Sequence, residues 1–274
     1  MSLQNLLSGM RKAVTEYSMI HDGDKIAVGL SGGKDSLALL TVLKAYQRFS
    51  PEKFELKAIT IDMGFPTADY SQIQKYVDEL NVEYEIVKTD IAEIIFDIRK
   101  EKNPCSLCSK MRRGALNTAV TKRGYTKLAL GHHADDLVET MLLSLFYEGR
   151  LSTFSPVSYM DRTGVTLIRP FILIEEKNIL AFSKNLPVAF NPCPADKQTN
   201  REYMKNLIKS VQKDIPIAKE RMLGAITHPE RNNLWDKCIC DIKRNNGGKI
   251  FEPKSVDVKI DTITDTDNAT KQNN

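Results

Sequence analysis

The apolar residues of this chain change period along its length, and each change marks a boundary between elements. Leu3, Leu6, Leu7, Met10, Val14 and Tyr17 recur at helical spacing with Arg11, Lys12 and Glu16 opposite, which predicts an amphipathic first helix. After the polar turn His21 to Asp24, the run Lys25 to Leu30 is short, apolar and β-compatible, and Leu37 to Phe49 resumes helical character. The pair repeats, with a strand predicted over Leu56 to Asp62, a helix over Asp69 to Leu80 and a third strand over Val82 to Val87. Lys127 to Gly131 and Ala134 to Tyr147 predict a further strand and a long apolar helix. Strands that are apolar on both faces must be covered on both faces. The fold class expected is therefore α/β, a doubly wound parallel sheet with helical additions at its two ends.

Between Asp90 and Gly124 the alternation pauses for a charged stretch, the pair Cys105-Ser106-Leu107-Cys108 and a helix through Met111, Ala115 and Val120, which together read as an insertion carrying a site. Gly149 to Pro156 is loop-like, Val165 to Ile168 is a short strand ending at Arg169-Pro170, and helices are predicted over Glu175 to Asn185, Thr199 to Gln212 and Pro216 to Ile226. Beyond Arg244 the chain is rich in Asn, Asp, Thr and Lys and poor in large apolar groups, the composition of a frayed tail. The expected division is an N-terminal helix (1–24), a core domain with the inserted cysteine helix (25–190), a helical extension carrying Cys193 (191–243) and the tail (244–274).

Composition narrows the class. Lys and Arg number 39 against 35 Asp and Glu, and the resulting +4 is too slight to signal a nucleic-acid partner by itself. No stretch approaches the ~18 to 20 apolar residues of a membrane span, and the N-terminus lacks the charge, apolar core and cleavage site of a signal peptide. A cytoplasmic protein without a membrane partner is expected, and a homodimer is left open. The five cysteines are odd in number and unevenly placed, so they do not form a disulfide framework.

The strand at Lys25 to Leu30 runs straight into Ser31-Gly32-Gly33-Lys34-Asp35-Ser36 and then a helix. Unsatisfied N–H groups and the positive end of the helix dipole converge there and attract anions. Gly32 and Gly33 let a phosphate approach closely, Ser31 and Ser36 offer hydroxyls, and Lys34 adds charge. The spacing is neither a Walker A motif nor a dinucleotide fingerprint. It resembles the PP-loop of the adenosine nucleotide alpha-hydrolase superfamily, whose members split ATP to AMP and pyrophosphate. That likeness implies ATP bound at Ser31 to Ser36, with Asp35 helping to hold Mg2+. Gly131-His132-His133-Ala134-Asp135-Asp136 resembles the second signature of these enzymes, with Gly131 and His132 lining the nucleotide and Asp135 and Asp136 as catalytic carboxylates. Asp62 ends the second strand, where related folds contact adenosine.

Cys105 and Cys108 share a face at the start of the inserted helix, where the dipole and Arg112 favour thiolates. The C-x-x-C pair alone leaves zinc, iron–sulfur and redox roles open. Cys193, in the turn Asn191-Pro192-Cys193-Pro194, supplies a third thiol, with no obvious fourth Cys or His nearby. Three thiolates on a four-iron cluster would leave one iron open. The PP-loop, the Cys105-x-x-Cys108 pair followed by Ser109 to Gly114, Gly131 to Asp136 and Cys193 after Arg169-Pro170 together resemble the tRNA 2-thiocytidine synthetase family over about residues 1–240. That resemblance implies a [4Fe-4S] cluster on Cys105, Cys108 and Cys193, and thiolation of the cytidine at position 32 of the tRNA anticodon loop. Two departures stand out: Glu148 where a small residue is usual, and Asp196 where some members place a reserve cysteine. Cys238-Ile239-Cys240 is read as incidental.

The chemistry implied is adenylation of the cytosine 2-carbonyl oxygen, followed by attack of sulfur supplied by a cysteine desulfurase. Arg112 is assigned to steady developing charge, and Lys110, Arg113 and Arg150 to contact tRNA, with Lys122, Arg123 and Lys127 as further phosphate candidates. The rivals are a cluster-free persulfide thiolase, an amide-forming PP-loop ligase with cysteine-bound zinc, and a non-catalytic RNA-binding module.

Overall fold

Six strands, β1 (Asp24–Gly29), β2 (Phe54–Asp62), β3 (Glu83–Lys88), β4 (Lys127–Ala129), β5 (Val157–Met160) and β6 (Val165–Ile168), make one sheet in the order β3-β2-β1-β4-β6-β5. All pairings are parallel except β5 with β6. The computed structural model describes residues 2–101, 104–190, 192–194, 199–232 and 234. Residues 1–229 form one compact unit and 230–274 a second, of which 230–232 and 234 are described.

The central strands are apolar because both faces are covered. In β1, Ile26 and Val28 join a core cluster with α1 (Leu3–Glu16), α2 (Lys34–Tyr46) and α6 (Glu176–Phe182) on one side of the sheet. Ala27, pointing the other way, joins Ile59, Ile61 and residues of α4 (Pro104–Lys122) on the opposite side. All three β1 residues are fully buried. Between the two sheet edges the arrangement is doubly wound as expected, with α3 (Ser71–Glu79) beside β3. α7 (Asn200–Asp214) and α8 (Ala218–Thr227) pack on α5 (Ala134–Glu148) through Met204, Ile208 and Leu223 against Val138 and Leu142.

Several boundaries differ from the sequence pattern for identifiable reasons. The cysteine helix starts at Pro104, a residue suited to the first helical turn, so it contains both Cys105 and Cys108. The charged stretch before it holds a π-helical turn over Glu93–Ile98. β5 was not expected: four residues carry too short an alternation to register, and the strand is fixed by its antiparallel partner through the turn at Gly164, whose φ is +68°. α2 begins within the glycine motif, at Lys34 rather than Leu37. Among the described residues no helix is long and apolar enough to cross a membrane. Asn191, Asp196, Cys238, Cys240 and the tail 244–274 lie outside the described residues.

Candidate nucleotide and thiol site

β1 and β4 are neighbours at the point where the strand order turns back, the place where open α/β sheets leave a crevice beyond their carboxyl ends. β1 delivers Ser31 to Ser36 into that crevice and β4 delivers Gly131 to Asp136. The first turn is held by its two serines: Ser36 Oγ donates to the Gly33 carbonyl at 2.9 Å and accepts from the Ser31 N–H at 3.2 Å. Gly32 takes φ +82°, which a side chain would strain. Gly33 caps α2 with no side-chain hydrogen bond, so the helix presents its first amides to the crevice.

α5 begins differently. His133 closes it with a capping box: the Asp136 N–H donates to His133 Nδ1 at 3.4 Å and the His133 N–H donates to Asp136 Oδ2 at 3.0 Å. His133 is buried, and its Nε2 stands 3.8 Å from Asp35 and 3.5 Å from Asp136. One imidazole therefore stands beside the carboxylates of both signatures on the same wall. Gly131 allows the two to meet, because a Cβ there would lie 2.9 Å from the Asp35 backbone.

A cavity of about 430 Å³ fills the crevice. Ser31, Asp35, Ser36, Gly131, His132 and Asp136 form its polar wall, Ile59, Ile61, Leu128 and Leu130 its apolar floor, and Ser109, Arg112 and Arg113 of α4 its far side. That combination of an apolar slot, an uncapped helix start and two carboxylates suits a purine nucleotide with its phosphates and a divalent cation.

Three of the expected site residues do not line this cavity. Asp62 lines no part of this cavity. Alternation along β2 turns Ile59 and Ile61 inward, and the Asp62 carboxylate instead accepts from the Gly64 N–H at 3.0 Å and hydrogen-bonds Tyr70. Burial and Asp62 push the Tyr70 phenol up to about 12. Asp135 also faces away, accepting from the Glu176 N–H and from Lys219 Nζ, both at 2.8 Å. Adjacent helix residues diverge by about 100° around the axis, so only Asp136 of the pair reaches the nucleotide wall. Lys34 is likewise not on the wall. Its ammonium lies between Asp35 at 2.9 Å and Glu176 at 3.0 Å, and although burial opposes its charge, these carboxylates raise its pKa.

The basic candidates divide in the same way. Lys127 is buried and bound to Asp24 at 2.5 Å and to the Met19 carbonyl, and Arg123 is paired with Glu85. Both are structural. Lys110 is exposed, Arg113 is exposed while lining the nucleotide cavity, and Arg150 is exposed and paired with Glu148.

Cys105, Cys108 and Cys193 are all thiols, the first exposed and the others partly buried. Far apart in sequence, Cys193 nonetheless lies close enough for its charge, like that of Cys105, to act on Cys108. The dipole and Arg112 were expected to favour the Cys108 thiolate. Burial outweighs Arg112 and pushes the thiol up, and the two neighbouring sulfurs add to the rise. Thiolates gathered this closely would repel one another unless a cation took their charge, and a soft metal centre does so. Among the described residues no three His, Cys, Asp or Glu side chains are already drawn into metal-ligating distance. The donor chemistry and the shared location nevertheless fit a thiolate-held group.

The periodicity did not disclose the residues that brace this site. Arg201 of α7 donates to Asp136 at 3.2 Å, Glu139 at 3.0 Å and Thr140 at 3.1 Å. Glu176 is shared by Lys34 and by Lys205 at 2.7 Å; burial opposes its ionisation, but these two cations hold its carboxyl down at about 2. Lys219 of α8 spans Asp135 and Glu175. His132 packs on Phe154 at 5.0 Å between ring centroids, and Arg169 stacks 4.8 Å from the same ring. Burial pulls His132 down to about 4, against the opposing pull of Asp136, so it faces the nucleotide cavity as a neutral ring. Its buried Nδ1 and the Nε of Arg169 have no hydrogen-bond partner.

Comparison with known proteins agrees with this architecture. The profile of a family described as the PP-loop domain matches residues 5–213. A tRNA-cytidine(32) 2-sulfurtransferase of Citrifermentans bemidjiense is 38% identical over 233 residues, covering 82% of this chain and 91% of the relative. One of Pseudomonas putida is 36% identical over 251 residues, covering 90% and 92%. Among solved structures, the U34-tRNA thiolase NcsA of Methanococcus maripaludis, with its [4Fe-4S] cluster, superposes with a TM-score of 0.66 at 26% identity, covering 82% of this chain and 78% of that one.

Proposed function

Because the chain belongs to the PP-loop family and, within it, to the tRNA-cytidine(32) 2-sulfurtransferases, we propose that it is an ATP-dependent tRNA thiolase working in the cytoplasm, which exchanges the 2-oxygen of cytidine 32 for sulfur. The observation that carries the reading is the placement of α4. One turn of this helix holds Cys105 and Cys108 beside Cys193, and the next puts Arg112 into the cavity shared with the PP-loop.

A cytosine 2-carbonyl resists substitution because its oxygen leaves badly. Attack of that oxygen on the α-phosphorus of ATP expels pyrophosphate and turns it into part of AMP, a competent leaving group. The uncapped start of α2, with Ser31 and Ser36, binds the departing pyrophosphate. Asp35 and Asp136, both beside His133, would hold Mg2+, which would supply charge neutralisation for the pyrophosphate. Lys34 leaves Glu176 for a phosphate oxygen when nucleotide binds, and Lys205 keeps Glu176 neutralised meanwhile. A sulfur nucleophile then adds to the 2-carbon and AMP departs. Cys105, Cys108 and Cys193 would hold a [4Fe-4S] cluster, which would supply a binding site for hydrosulfide, released from the persulfide of a cysteine desulfurase by a thiol reductant that is oxidised to its disulfide. Arg112, reaching both the cavity and Cys108, steadies negative charge between the two centres.

Replacing Cys105, Cys108 or Cys193 with Ala in the anaerobically purified protein abolishes thiolation of tRNA while ATP still binds. Full thiolation by any of the three variants refutes the ligand assignment. Thiolation surviving complete removal of iron refutes the cluster.

A further inference from the structure

Besides the nucleotide cavity, α4 borders a second and larger one of about 900 Å³, closed by the C-terminal end of α5 and the start of α7. Cys105, Ser106, Ser109, Tyr147, Asn200 and Arg201 line it, and Pro194, next to Cys193, stands at its edge. Ser109 belongs to the walls of both cavities. Arg201 links them a second time, since the guanidinium that lines the larger cavity also holds Asp136 on the nucleotide wall.

We propose that the larger cavity receives the target pyrimidine nucleotide, flipped out of the single-stranded RNA loop, with Tyr147 stacking on the base, Asn200 reading its edge and its 2-carbonyl directed past Ser109 toward the ATP. This inference rests on the thiolase reading and adds where the substrate base sits. The chemistry requires one carbon to meet an adenylate on one side and a sulfur source on the other. Only a base standing between the nucleotide wall and the thiols satisfies both, and Ser109 marks that junction.

The lining suits such a guest. A base reacted on by an enzyme leaves its stack and is gripped by aromatic and hydrogen-bonding side chains. Tyr147 is 57% exposed and its neighbour Phe146 59%, a costly display of aromatic surface on a helix end unless a partner covers it. The Asn200 amide offers a donor and an acceptor side by side, the pattern that matches the ring nitrogen and exocyclic amine of cytosine. Glu148, also on this wall, is kept ionised by Arg150 and is therefore an acceptor only, which suits an amine and repels a carbonyl at the same ring position.

The test uses anaerobically purified full-length holoenzyme and an anticodon-loop RNA carrying 5-iodocytidine at the target position. Irradiation should attach the base to a peptide from 134–150 or 199–205, and a crosslink elsewhere, or none, overturns the proposal. In steady-state assays on tRNA, Tyr147→Ala should raise the KM for tRNA about ten-fold, the size of one lost base stack, with the KM for ATP unchanged. An unchanged KM for tRNA contradicts it. If the unaltered holoenzyme thiolates no tRNA, the thiolase reading fails and this inference falls with it. Activity in the unaltered enzyme combined with an unchanged KM for tRNA in Tyr147→Ala and a remote crosslink refutes the cavity assignment alone.

Discussion

The starts of α2 and α5 stand side by side beyond the carboxyl ends of the neighbouring strands β1 and β4, and the chain finishes them in opposite ways. α2 is capped by Gly33 without a side chain and leaves its amides to the crevice. α5 is sealed by His133, which spends its ring nitrogens on Asp136 and on contact with Asp35. Both helices carry acidic residues in the first turn, so the same dipole acts at each. The difference separates two tasks. The open end leaves amides for the phosphates of the proposed nucleotide, whereas the sealed end spends its amides internally and gathers two carboxylates beside one imidazole.

The comparison breaks most severely at Lys34. Lys34→Ala removes the cation proposed to move from Glu176 to a phosphate, and kcat/KM for ATP should fall roughly 100-fold while bound iron stays constant, checked by pyrophosphate release and iron analysis. Joint loss of activity and iron would mean collapse of the fold instead. Gly33→Ser sharpens the contrast by giving α2 a cap of its own. The added Cβ meets only Ser31 Oγ at 3.4 Å, so the fold should gain a few tenths of a kcal/mol, yet ATP affinity should drop about ten-fold by calorimetry as the new hydroxyl competes for the amides. Equal ATP affinity in Gly33→Ser would remove the open end from the account. Opening the sealed end with His133→Ala should cost about 1 kcal/mol in denaturant melts and weaken Mg2+-dependent ATP binding by a smaller factor.

The smallest effect is one of pH. His132 has a folded pKa of about 4, below its ordinary value near 6.5, so its contribution is whole above about pH 6.5. It is lost as the solution is acidified through about pH 4. His132→Gln should flatten that part of the stability profile, and an unchanged slope between these two pH values would show that the ring is not held neutral by burial.

The sequence made local features plain and left distant pairings hidden. The sheet, the glycine turn and the C-x-x-C helix were legible because strand and helix periods and the order Ser31 to Ser36 are properties of neighbouring residues. What the pattern could not separate was Asp135 from Asp136, since the turn of the helix that aims one at the nucleotide and the other at Lys219 is visible only once α8 is in place. Nor could it find Arg201, whose partners Asp136 and Glu139 lie more than sixty residues earlier. The strand-end position of Asp62 was clear, but whether Ile61 or Asp62 turns into the cavity depends on which face of β2 the crevice takes. Lys127 and Arg123 read as phosphate candidates, and only their folded partners Asp24 and Glu85 reveal them as braces.

Nucleoside mass spectrometry of tRNA from cells lacking this gene most directly tests whether the α4 cysteines and the PP-loop cavity form one thiolating centre. Without the gene, 2-thiocytidine should disappear; the unaltered gene should restore it, and genes encoding Cys108→Ala or Asp35→Ala should not. Retention of 2-thiocytidine in the deletion strain, or its full return with either variant, would contradict the account.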